Sequence, residues 1–181
     1  MKKRLFILSI TVILLSICTG TVFADTSDTG TATANISAGS LSITAQAINF
    51  SATLTGSDQT VFDSDSTDWS AEDATGSGSG WHVTIASTDF TSGSDTITVD
   101  NFKVRLEDSS ITTVSGNTKP ASSITDYTAL STTAATLMSA SAGNGMGVYN
   151  FVPDFSLDIA AETAAHSDYA ATVTVNIISG P

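Results

Sequence analysis

Gly76-Ser77-Gly78-Ser79-Gly80-Trp81-His82-Val83-Thr84-Ile85-Ala86 is the stretch on which the reading of this chain turns. From Trp81 onward the apolar Trp81, Val83 and Ile85 alternate with His82, Thr84 and Ala86. A period of two is that of a strand with one face toward a core. The five residues before it alternate Gly and Ser, which supplies loop rather than regular structure. This run precedes a strand, not a helix, so it offers no helix N-terminus to a phosphate. Trp, Val and Ile together form the kind of face that a β-sandwich buries. Trp81 is therefore expected to be a packing residue and not a ligand contact.

The same pattern recurs on both sides. Ile48, Phe50, Ala52 and Leu54 alternate with polar residues, and an earlier strand is expected around Ile36 to Ile43, broken or bulged at Gly39. Ile97 and Val99 alternate, and after Asp100-Asn101 the phase shifts to Phe102, Val104 and Leu106. Such a shift implies a turn or a bulge. Phe155, Leu157 and Ile159 form one later set, and Tyr169, Ala171, Val173, Val175 and Ile177 another. Tyr127 to Ala142 is rich in Ala and Thr with poor helix caps, and is expected to be loop with at most a turn or two of helix. Short strands separated by turn residues predict an all-β chain, a single antiparallel β-sandwich or barrel-like domain.

The chain has 181 residues and a formal net charge of −12. Of these, 27 are Ser and 29 are Thr, a composition that suits the outward faces of antiparallel sheets. Lys2, Lys3 and Arg4 precede an apolar stretch from Leu5 to Cys18, and Val22-Phe23-Ala24 provides small residues for cleavage. Residues 1–24 are expected to be a removed signal peptide, shorter than a membrane span, with residues 25–181 as the exported domain. Ile17 stands where a lipobox needs a small residue, so Cys18 is expected to leave with the peptide. The exported part has no cysteine and carries all 18 acidic side chains against three basic ones, Lys103, Arg105 and Lys119. So acidic a surface cannot neutralise a phosphate backbone, which argues against nucleic acid. No second apolar segment and no sortase-type tail is apparent, so no covalent or membrane tether is expected.

Candidate chemistry is sparse. His82 is on an outward strand position and His166 in an apparent turn, far apart in sequence. Ser and Asp are so abundant that a triad drawn through either histidine carries no information. No nucleophile elbow, zinc-protease helix or phosphate loop is present, and neither catalysis nor a cofactor is expected. Asp63, Asp65, Asp68, Glu72 and Asp73 form the densest acidic run. They could offer oxygen ligands to Ca²⁺, but lack the glycine and flanking helices of an EF-hand. A solvated acidic loop is the simpler expectation.

Three stretches together resemble the WxL domain family of Gram-positive surface proteins. Ser37-Ala38-Gly39-Ser40-Leu41-Ser42-Ile43 is similar to its opening strand. Asp73 through Val83, with the alternating glycines before Trp81, is similar to the first of its two Trp-x-Leu-type motifs. Gly145-Met146-Gly147-Val148-Tyr149 and Tyr169 to Thr174 resemble its closing strands. Where the second Trp-x-Leu belongs, this chain has Val175-Asn176-Ile177, so only Trp81 and Val83 carry the motif. The resemblance implies non-covalent attachment to the cell wall through peptidoglycan, or association with a partner envelope protein. A second expectation is a structural subunit of a surface filament or biofilm matrix, a homo-oligomer in which an exposed N-terminal segment pairs with a neighbour's sheet edge.

Overall fold

A computed structural model describes residues 28–64 and 67–181. The expected signal peptide, Cys18 and Asp65 lie outside the described residues. Among the described residues fourteen strands follow one another: β1 Leu41–Thr44, β2 Gln59–Phe62, β3 Trp69–Asp73, β4 Trp81–Ser87, β5 Phe90–Ser92, β6 Asp95–Ile97 and β7 Phe102–Arg105, then β8 Ile111–Gly116, β9 Ala121–Ser122, β10 Thr128–Ala129, β11 Ala135–Ala140, β12 Gly147–Phe151, β13 Asp154–Ile159 and β14 Val173–Ser179. All pairings are antiparallel. One sheet has the order β1-β3-β12-β8, a second β10-β7-β13-β2, a third β14-β4-β11-β9, and β5 with β6 forms a hairpin. The all-β sandwich expected from the alternation is what the chain forms.

The three large sheets share one core. The first contributes Trp69, Ala71, Tyr149 and Phe151, the second Phe102, Val104, Phe155 and Leu157, and the third Trp81, Val83, Ile85 and Leu137. Aromatic rings meet edge to face or tilted within and between the sheets. Phe102 lies 5.5 Å from Phe155 within the second sheet and Trp69 lies 5.9 Å from Phe151 within the first, while Trp69 and Phe155, 5.7 Å apart, join the two. Such contacts contribute about 0.5–1.5 kcal/mol each beyond their burial.

The phase shift after Val99 is a turn, the 3-10 segment Val99–Asn101, which leads directly into β7. Three expectations need correction. The Ile48 to Thr55 alternation is not a strand: Ile48 and Phe50 pack on the core from irregular backbone, with the Phe50 ring 5.6 Å from Phe102. Apolar spacing here reflects sidedness without a ladder partner. Tyr127 to Ala142 is not loop, because it contains β10 and β11. A bulge between Thr136 and Met138 breaks the alternation of β11, so that neighbouring Leu137 and Met138 are both buried. That bulge hides the strand from a period-two reading. The opening strand begins only at Leu41, and Gly39 is not a break in it. Instead Gly39 N–H donates to Ala74 O at 2.9 Å, and a Cβ there would lie 2.7 Å from that of Ala74. Glycine allows this close approach of two backbones.

Candidate functional site

The motif residues Trp81 and Val83 are wholly buried on β4, the second strand of the third sheet. Each is bracketed by neighbours. Trp81 stands opposite Ala140 of β11 and Ser179 of β14, and Val83 opposite Met138 and Ile177. The Trp81 indole ring lies 6.2 Å from that of Tyr149. Its Nε1–H donates to Gly145 O at 2.8 Å, so burial leaves no polar atom of the indole unsatisfied.

The loops around the indole account for the sequence before and after it. Asp73, 4 % exposed at the end of β3, accepts hydrogen bonds from Thr75 N at 2.9 Å and Thr75 Oγ1 at 2.6 Å. Thr75 Oγ1 in turn accepts from Ser77 N, and Ser77 Oγ from Ser79 N. This chain of side-chain-to-backbone turns carries the backbone from β3 to β4. The intervening Gly76, Gly78 and Gly80 all have positive φ, which side chains other than glycine adopt at a cost. Gly145 closes the other side at φ +74, where a Cβ would fall 2.7 Å from Trp81 Nε1. Asn117 Oδ1 accepts from Met146 N, and the Tyr149 hydroxyl lies 3.0 Å from Met146 O and 3.2 Å from Asn117 O. Burial, more than the nearby Asp73 charge, pushes the Tyr149 phenol above its usual range. Asn117, which the sequence marked only as a turn residue, thus anchors the loop that holds Trp81.

The place of the absent second motif is beside the first. Val175 stands opposite Ile85 and Ile177 opposite Val83, both only half-buried because β14 is the edge strand of its sheet. Beyond Ser179, Gly180 N–H donates to Gly80 O, and His82 Nδ1 lies 2.7 Å from Gly180 O. His82 therefore ties the chain's last residues to the start of β4.

The other candidates do not assemble. His166 Nε2 meets Asp95 Oδ2 at 2.7 Å on an exposed surface, on elements other than the one that carries His82. The acidic run is not a solvated loop throughout: its second half is β3, where Glu72 is exposed and Asp73 faces inward. Asp63 Oδ1 accepts from Asn49 N, and Asp68 Oδ2 from Asn150 Nδ2. Among the described residues no group of three or more His, Cys, Asp or Glu is placed to hold a metal ion.

Comparison with known families agrees with this construction. The WxL family, described as a WxL domain for surface cell wall-binding, matches residues 24–181. The chain belongs to the WxL domain family, and is a cell-surface, wall-associated protein. No curated protein and no solved structure matches it significantly.

Proposed function

We propose that this chain is an exported, non-catalytic module that holds to the cell wall without a covalent bond, with peptidoglycan as its contact. The observation that carries the reading is the family match over residues 24–181, in a domain whose motif residues serve the core. The motif builds a rigid sheet, and contact with the wall falls to surfaces which that sheet supports. Fractionation of native cells, with LiCl washes of the wall pellet, tests it. Release of the protein from the wall by LiCl without any lytic enzyme is the expected result. Purified protein left wholly in the supernatant over insoluble peptidoglycan at low salt contradicts it.

A filament subunit is the second reading. It is favoured by β8, which ends its sheet with Thr112 to Gly116 exposed, and by the exposed residues 28–35, which have no regular structure. A free edge is a template for another strand. Electron microscopy of concentrated protein shows fibres if this role holds, and a strictly monomeric profile removes it.

A further inference from the structure

The outward face of the second sheet differs from the rest of this hydroxyl-rich surface. Lys103 and Arg105 of β7 project from it beside Asp154 and Asp158 of β13. Lys103 Nζ meets Asp158 Oδ2 at 2.5 Å, and Thr60 Oγ1 of β2 donates to Asp158 Oδ1 at 2.7 Å. Arg105 Nε donates to Asp154 Oδ2 at 2.9 Å, and its guanidinium stands 4.8 Å above the Tyr127 ring. Across the sheet, Phe62 approaches Tyr127 to 5.9 Å although β2 and β10 are its opposite edges. The rings reach toward each other over the middle of the face. Ser156, opposite both Phe62 and Lys103 in the register, is consequently only 2 % exposed on an outward position.

Phe62 is nevertheless 58 % exposed, an aromatic side chain the fold leaves in water. Toward the other end of the same strands lies a shallow depression of about 500 Å³, bordered by Asp58, Thr60, Asn101, Lys103, Asp158 and Ala160. From Asp154 to Asp158 the face runs roughly 13 Å at about 3.3 Å per residue. That is long enough for more than one pyranose ring.

We infer that this face, from Phe62 and Tyr127 to the Lys103–Asp158 pair, binds an uncharged pyranose chain, the glycan backbone of peptidoglycan. The inference rests on the wall-binding reading and deepens it. A pyranose presents a face of C–H bonds, which the negative face of an aromatic ring attracts, and an edge of hydroxyls that both donate and accept. The exposed Phe62 ring, backed by the half-buried Tyr127, serves the first, and fixed carboxylates, ammonium and guanidinium serve the second with little ordering cost. Charge selects among wall polymers. Both cations here are already neutralised, Lys103 by Asp158 and Arg105 by Asp154 and Glu107, while the chain as a whole is acidic. A polyanion such as teichoic acid finds no free positive charge on this face, and is repelled by its surroundings.

The test is sedimentation of the purified protein with peptidoglycan stripped of teichoic acid, for the unaltered chain and for Phe62→Ala, Tyr127→Ala and the double variant. Val114→Ser, an exposed change on β8, serves as control. The expected result is at least a tenfold loss of affinity in the double variant at an unchanged melting temperature, and none in the control. Soluble β-1,4-linked N-acetylglucosamine oligomers should displace the unaltered protein, and retention should vary little with salt because no counterions are released. Displacement by the oligomer with protection of Phe62 and Tyr127 ring signals in NMR supports the site even if a variant folds poorly. Full binding by a folded double variant overturns the site but leaves wall binding intact. Retention only by teichoic-acid-loaded walls overturns the choice of an uncharged glycan. Absence of any binding by the unaltered protein fails the wall-binding reading itself, and the site with it.

Discussion

β4 and β14 lie side by side over seven residue pairs, from Trp81 with Ser179 to Ser87 with Val173; β4 alternates its apolar residues with His82, Thr84 and Ala86, and β14 with Thr174 and Asn176. Their fates differ. Trp81, Val83 and Ile85 are completely buried, whereas Val173, Val175 and Ile177 remain half-exposed. β4 has a strand on each flank and is covered by Tyr149, while β14 is hydrogen-bonded along one side only. Similar alternation thus yields different burial according to rank in the sheet. The Trp-x-Leu-type motif, here Trp81-His82-Val83, stands where the sheet is deepest. Valine and isoleucine stand in its place where the sheet meets water.

The largest expected difference follows from truncating the deep side. Trp81→Ala removes the largest fully buried side chain and should cost about 3–5 kcal/mol, lowering the melting temperature by roughly 6–20 °C. A drop of a degree or two in thermal denaturation would mean that β4 is no more critical than its neighbour. Gly145→Ala attacks the same pocket from the loop, where a Cβ meets Ala140 at 2.3 Å at a backbone angle that alanine resists. About 2–4 kcal/mol is expected in urea unfolding, from strain and overpacking combined. Tyr149→Phe should cost about 1 kcal/mol through the lost hydroxyl contacts.

Tyr149 also sets a pH dependence. Its phenol is raised in the fold, so its share of the stability is present below pH 10, the usual phenol value, and is lost as pH rises toward the folded value. The alkaline fall in melting temperature should be flatter in Tyr149→Phe. An unchanged alkaline slope would remove Tyr149 as its source. The smallest effect belongs to the edge: Val175→Ala should cost about 1 kcal/mol or less, because half of that side chain is already in water. A cost equal to that of Val83→Ala would erase the distinction between the two strands.

Part of this contrast was legible beforehand. Alternation around Trp81 located β4 and its inward face, because a strand's side-chain period is a local property. Rank within the sheet is not local, and nothing in Val173 to Ser179 by itself marks an edge. The bulge at Leu137-Met138 concealed β11, and the ladder that Ile48 to Phe50 lacks depends on residues far along the chain. Of the motif's support, the glycines before Trp81 were visible as a loop. Their hydroxyl relay from Asp73, the closure by Gly145 and the anchoring by Asn117 required the fold.

The central claim is that Trp81 sustains the fold and does not touch the wall. Trp81→Phe tests it most directly, because it keeps an aromatic side chain while losing the bond to Gly145 O. Affinity for purified peptidoglycan should be measured for both proteins at a temperature where near-ultraviolet circular dichroism shows each fully folded. The account predicts a lower melting temperature for the variant and an unchanged dissociation constant. A fully folded Trp81→Phe protein that has lost its affinity would contradict the account and make Trp81 a contact residue.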